Sequence, residues 1–243
     1  MLMNPHECES GGGRCLGDAC PHRGGVLRAR RWIEFVSLYI VIPLALGALR
    51  GLDIAVPVLP ILWVAAYPAA RYLVRHHGWG VRELAEFHLS RSQGGHLLVR
   101  VVVAAALLAG GLFLVAPSQL FELPRANPRL WALVMVCYPI LSVYPQGLLY
   151  RGLFYARYAD LFRSERGAWL AGAAVFSLAH VVFGNVWAVA LTFVGGLFIN
   201  RTYRRTGSML VSDAEHAAYG QLVFTLGWGR YLYHGTVRLL EHV

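Results

Sequence analysis

Three short stretches concentrate the residues able to do chemistry. They are Tyr144-Pro145-Gln146-Gly147-Leu148-Leu149-Tyr150-Arg151-Gly152, Phe176-Ser177-Leu178-Ala179-His180, and Asp213-Ala214-Glu215-His216-Ala217-Ala218-Tyr219-Gly220-Gln221. Imidazole can bind a metal, move a proton or stabilise an oxyanion. A carboxamide such as Gln221 can donate a hydrogen bond to a developing negative charge. Arg151 can hold a carboxylate in bidentate geometry, and Gln146 and Gly147 lie five and four positions before it, near one helical face. A lone buried histidine is usually a satisfied core residue. Two on separate stretches, with Glu215, Gln221, Gln146 and Arg151 also at hand, are better explained by one polar cavity. Hydrolysis needs a water pocket, a base and donors for the tetrahedral intermediate, and the base is the weak part of this set. Glu215 adjoins His216, but consecutive helical residues point about 100° apart, so it would reach such a cavity only from the side.

The elements that must position these groups are membrane helices. The chain has 243 residues, 57% apolar and 14% charged. An ordinary soluble domain carries about 25% charge and about 45–50% apolar residues, so a soluble globule, a disordered chain and a collagen-like chain are all excluded. Crossing a bilayer takes about 20 helical residues. Seven stretches approach that length: 32–49, 54–74, 97–116, 130–149, 168–183, 185–200 and 207–228. The expectation is an all-α polytopic bundle of about seven spans (six to eight), with the polar motifs on spans near 130–151, 168–183 and 207–228. The fifth and sixth spans are joined at Gly184-Asn185 as a tight helical hairpin. The last span, with Asp213, Glu215 and His216, is tenable only if those groups face the protein interior. Glu34 and Arg100 are read as groups that cap or snorkel.

All 22 basic residues are Arg, and they give an orientation. Sixteen fall before span 1 or between spans 2 and 3, 4 and 5, or 6 and 7, five fall on the opposite side, and Arg100 lies within span 3. This bias predicts a cytoplasmic N-terminus. No secretory signal is expected, since residues 1–31 are polar and glycine-rich; they are read as a disordered cytoplasmic tail ahead of a membrane domain at 32–243. Cys8, Cys15 and Cys20, with His6 and His22, could bind zinc, but their spacing fits no standard zinc pattern. Around Val81, Leu84, Ala85, His88 and Leu89 the sequence suggests an interfacial amphipathic helix, with a solvated linker the equal alternative. No nucleic-acid motif is present. Two other functions fit two intramembrane histidines. Haem ligation lacks any cofactor motif, and transport lacks a visible inverted repeat.

The three stretches resemble the CPBP family of intramembrane proteases, also called the CAAX protease and bacteriocin-processing family or the Abi family. Its signature reads Glu-Glu-x-x-x-Arg, then Phe-x-x-x-His, then a His followed by an Asn. Here these become Gln146-Gly147-x-x-x-Arg151, Phe176 to His180, and His216 with Gly220 and Gln221 four and five residues on. The resemblance spans about residues 32–233. It is closest to a proteobacterial-looking branch with Pro-Gln-Glu-x-x-x-Arg and Glu-His-Ala-x-Tyr-Gly-Asn, matched by Tyr144-Pro145-Gln146, Gly184-Asn185, Thr192 to Gly196 and Glu215-His216-Ala217.

The resemblance implies a bacterial inner-membrane enzyme that hydrolyses peptide bonds of membrane proteins or peptides in or near the bilayer. In the family a Glu activates water, assisted by the two His and the Asn. His180 and His216 match the histidines, Arg151 the arginine, and Gln221 replaces the Asn. Metal dependence differs within the family, so a divalent ion such as zinc on His180 and His216 is a possible cofactor. The departure is at Gly147, which stands where the branch carries its Glu, beside Gln146 where the wider family carries its first. A neutral amide cannot act as the base. Two expectations follow. The chain is a pseudoprotease that keeps the fold and the peptide-binding cavity, or Glu215 supplies the carboxylate. Impaired or absent hydrolysis is the favoured one.

Overall fold

The computed structural model describes residues 21–232, and among them every regular element is helical. Helix α1 (Pro21–Val36) passes through a wide π-helical turn, Ser37–Val41, into α2 (Ile42–Gly51). Then follow α3 (Val58–His77), the short α4 (Val81–Ala85), α5 (Arg91–Val115) and the short α6 (Glu122–Ala126). Helix α7 (Pro128–Tyr138) leads through a π-helical segment at Pro139–Val143 to α8 (Tyr144–Gly147), and a second π-helical segment covers Leu148–Tyr158. Helix α9 (Glu165–Leu178) tightens into a 3₁₀ turn at Ala179–Phe183, and α10 (Val186–Thr206), α11 (Met209–Leu226) and α12 (Gly229–Leu232) complete the described chain. The tail residues His6, Cys8, Cys15 and Cys20 lie outside the described residues.

By length and composition, four helical stretches among the described residues can cross a membrane: Gly25–Gly51, Arg91–Val115, Pro128–Leu161 and Glu165–Phe183. The protein is an integral membrane protein. Three further long helices, α3, α10 and α11, pack among these. Burial separates an outer shell from an inner layer. In the apolar window of Arg91–Val115 only 6% of residues are buried, against 44% in Glu165–Phe183. The exposed side chains of the outer layer include Val64, Leu107, Leu114 and Val115. Such an apolar exterior would aggregate in water and suits a hydrocarbon solvent.

The helix ends follow from local sequence. Ser90 and Gln93 cap the start of α5 reciprocally: the Ser90 hydroxyl accepts from Gln93 N at 3.3 Å, and Gln93 Oε1 accepts from Ser90 N at 2.9 Å. Asn127 caps α7 ahead of Pro128 at the first position, where a missing N–H costs nothing. The hairpin between α9 and α10 forms as expected from Gly184-Asn185. Gly184 sits at φ 69°, a left-handed conformation natural for glycine, and Asn185 then caps α10 through its Oδ1. The amphipathic segment is shorter than expected. Helix ends at Ala85, and the chain turns extended at Glu86, whose carbonyl accepts from the Ser208 hydroxyl at 2.5 Å.

The long Pro128–Leu161 helix carries the first motif, and its wide turns have a cause. Pro139 and Pro145 bring no N–H to the ladder, and a helix relaxes around such gaps by local changes of register. Helices α1 and α3 pack against the second wide segment. The Tyr39 hydroxyl donates to the Leu149 carbonyl at 2.7 Å, tying the first span to the motif. Around it Trp32, Phe35, Tyr150, Phe154, Tyr158 and Phe162 form an aromatic cluster with mostly edge-on contacts. Glu34 does not snorkel. It pairs with Arg157 and, at 3.2 Å, with Arg30.

Candidate active site

A cavity of about 980 Å³ opens between α2, α3, α7, α8, α10, α11 and the 3₁₀ turn after α9. Its walls are mostly apolar, and the polar side chains that line it include Arg50, Tyr138, Ser142, Gln146, His180, Thr192, His216 and Tyr219. An apolar pocket with a few convergent polar groups is the usual form of a binding or catalytic site. Two of the three sequence motifs deliver their histidines to this one space.

Phe176 packs against both imidazoles. Its ring centroid is 4.9 Å from that of His180 and 5.1 Å from that of His216, both edge-on. His180 Nδ1 lies 2.8 Å from the Phe176 carbonyl oxygen. A carbonyl can only accept, so Nδ1 carries the proton, and in the neutral ring Nε2 is left with a free lone pair. His216 is 5% exposed, and its Nε2 lies 3.2 Å from the Tyr138 hydroxyl. Its Nδ1 is buried without a hydrogen-bond partner. Gln146 Nε2 donates to the Ser142 hydroxyl at 2.8 Å, and Gln146 Oε1 is buried and unpartnered. A hydroxyl donates as readily as it accepts, so the rotated amide would keep the Ser142 bond and offer its NH₂ to the site.

Arg151 is 1% exposed and does not line the cavity. It donates through Nη2 to Asp213 Oδ1 at 2.5 Å, a buried ion pair joining the first motif to the third. Asp213 occupies the space beside Gly147: a Cβ built on Gly147 would lie 2.5 and 2.6 Å from its two carboxylate oxygens. Sequence reasoning had quoted Asp213 without giving it a role. The available signal was its spacing of three before His216, which puts both on one face of α11.

Two expectations about α11 do not hold. Glu215 does not approach the cavity from the side. It is fully buried, receives the Tyr219 hydroxyl at 2.7 Å, and lies 3.3 Å from Arg100 Nη2. Arg100 therefore turns inward rather than snorkelling, and it also donates to Thr202 Oγ1 at 3.0 Å. Gln221 is also turned away. Its Nε2 donates to the Met135 carbonyl at 2.9 Å, and it does not line the cavity. The neighbouring Gly220 does line it, and a Cβ there would collide with the Tyr138 ring. Tyr138, which sequence reasoning missed, thus fills that space and brings a hydroxyl to His216.

A divalent metal would need more than these donors. Among the described residues no three His, Cys, Asp or Glu side chains converge as a ligand set. The two imidazoles also have nitrogens already engaged by Phe176 and Tyr138. The donor set does not fit a zinc site with three protein ligands.

Fold and site together define a helical membrane protein whose largely apolar cavity holds two histidines from separate helical segments. Residues 128–221 match the family model described as type II CAAX prenyl endopeptidase Rce1-like. The match is consistent with the CPBP resemblance, and the matched stretch includes Tyr138, Gln146, Gly147, Arg151, His180, Asp213, Glu215, His216 and Gln221. Comparison with curated proteins and with solved structures gave no match.

Proposed function

We propose that the protein is an intramembrane endopeptidase whose water-activating group is an imidazole. The observation that carries this reading is the His180 ring, held in one tautomer by the Phe176 carbonyl, at the edge of a cavity it shares with His216. In the proposed reaction, His180 Nε2 takes a proton from water as the water oxygen attacks the scissile carbonyl. The same proton passes to the leaving amine as the C–N bond breaks. When the Tyr138 hydroxyl donates to His216 Nε2, the proton of His216 rests on Nδ1, and that N–H is a donor for the oxyanion. Gln146, with its amide rotated, is a second donor. An imidazole is a competent general base near neutral pH, so no carboxylate is required in principle.

The apolar walls suit a membrane peptide or a lipidated chain end, the substrate class that the family name suggests. The membrane domain is assigned to 32–243 with about seven spans. The excess of Arg on alternate loops supports a cytoplasmic N-terminus, and a bacterial inner membrane is the proposed setting.

One observation favours a second reading, a non-catalytic protein that binds or scaffolds membrane peptides. Among the described residues no Asp or Glu lines the cavity. One experiment separates the two. The purified chain is reconstituted in liposomes with an internally quenched membrane peptide bearing a photo-crosslinker. Cleavage together with crosslinks to cavity residues supports the protease. Crosslinking without cleavage supports the binder.

A further inference from the structure

Helix α11 carries two buried carboxylates two positions apart, hence about 200° apart around the helix. They are paired on opposite sides. Asp213 meets Arg151 at 2.5 Å on the motif helix, and Glu215 meets Arg100 at 3.3 Å on α5. Each partner is buried or partly buried: side-chain exposure is 1% for Arg151, 8% for Asp213, 0% for Glu215 and 24% for Arg100. Rotating α11 about its axis in either direction would separate at least one pair and leave a charge unpartnered in the membrane interior. His216 follows Asp213 by three positions, on the same face, so the rotation that seats Asp213 on Arg151 also aims the imidazole at Tyr138 and Phe176.

We propose that Asp213 is a positioning residue: its carboxylate, admitted by the missing side chain at Gly147, locks Arg151 and so fixes the aim of His216. It does not act on substrate, because it lies outside the cavity lining. Gly147 is required by this arrangement. Its added Cβ would meet Asp213 Oδ1, Oδ2 and Cγ at 2.5, 2.6 and 2.9 Å. Position 147 and the Asp213 side chain therefore compete for one volume next to one guanidinium. A Glu at 147, four positions before Arg151 on the same helix, would present the same charge from the other wall. The carboxylate is thus exchangeable between helices, but only one copy fits. The catalytic part of this inference rests on the proposed hydrolysis; the exchange itself does not.

The test is a cycle on the full chain in nanodiscs with Gly147→Glu, Asp213→Ala and the pair combined, plus Gly147→Glu with Asp213→Asn. Three quantities are read: thermal midpoint, kcat and KM on the membrane peptide, and the rate at which diethyl pyrocarbonate modifies His216. Each single change should lower the midpoint, speed His216 modification, and cut kcat by about tenfold with little change in KM. Gly147→Glu with Asp213→Ala should recover to within about threefold of wild type in kcat and in modification rate. Gly147→Glu with Asp213→Asn should not recover, because Asn still fills the contested space. If the two single effects simply add in the combined variant, or if Asn permits recovery as well as Ala, the lock is wrong. If Asp213→Ala does not fold, the His216 rate in the two combined variants still decides. If wild type cleaves nothing while midpoint and modification rate recover, the hydrolase reading falls and the lock stands.

Discussion

The two ends of the site are built on opposite principles. At the Arg151 end, charge is paired and sealed: a guanidinium 1% exposed meets a carboxylate, Arg151 Nε and Asp213 Oδ2 stay buried without a further partner, and neither side chain lines the cavity. At the histidine end, both imidazoles line the cavity, and His180 Nε2 is left open because Nδ1 is held by the Phe176 carbonyl. A buried ion pair in hydrocarbon is rigid because separating it is costly. An imidazole with an open nitrogen can take up a proton and return it. Stiffness and reactivity are thus assigned to different side chains, and α11 carries one of each, Asp213 and His216. Changes at the histidine end should therefore read out in rate with little loss of stability, and changes at the Arg151 end in stability as well as rate.

The largest expected effect is at the reactive end. Replacing His180 with Ala should lower kcat by about 10²–10⁴-fold while leaving thermal unfolding close to wild type. A steady-state assay on a membrane peptide checks it, and an equal loss of stability would mean that the two ends are not separate. At the sealed end, Arg151→Met should destabilise by about 3–5 kcal/mol, because Asp213 is left buried without its cation. Denaturation in micelles measures that, and a neutral result would remove the reason to call this end a scaffold. Smaller still is Tyr138→Phe. It deletes the hydroxyl beside His216, so kcat should fall roughly two- to tenfold, the worth of one hydrogen bond. The smallest effect belongs to Gln221→Ala, which loses only the bond to the Met135 carbonyl. It should cost about 1 kcal/mol of stability and leave kcat within about twofold. A strong loss of kcat would return Gln221 to the site.

Much of the architecture is legible in the sequence, because long apolar runs and the Gly184-Asn185 junction are local signals. The four-residue spacing of Phe176 and His180 was also readable, since it puts ring, carbonyl and imidazole on one helical face. What failed was the choice among neighbours on α11. Glu215, the alternative carboxylate to a lost base, adjoins His216 in the chain, but adjacency on a helix points side chains apart, and α5 supplies Arg100 to pair with it. Asp213 had the right spacing, but its role depends on a space at Gly147 that only the packing of two helices reveals. Tyr138 was invisible for the same reason. Its partner lies 78 residues away, and nothing local marks a tyrosine that fills the gap beside a glycine.

The central claim is hydrolysis in the histidine cavity, and its most direct test follows the oxygen of water. The reconstituted chain is incubated with a membrane peptide in H₂¹⁸O, and the products are weighed by mass spectrometry. The expected result is an N-terminal fragment carrying one ¹⁸O in its new carboxyl group, formed by wild type and nearly absent with His180→Ala. An uncleaved peptide with wild type, or cleavage undiminished by His180→Ala, would contradict the claim.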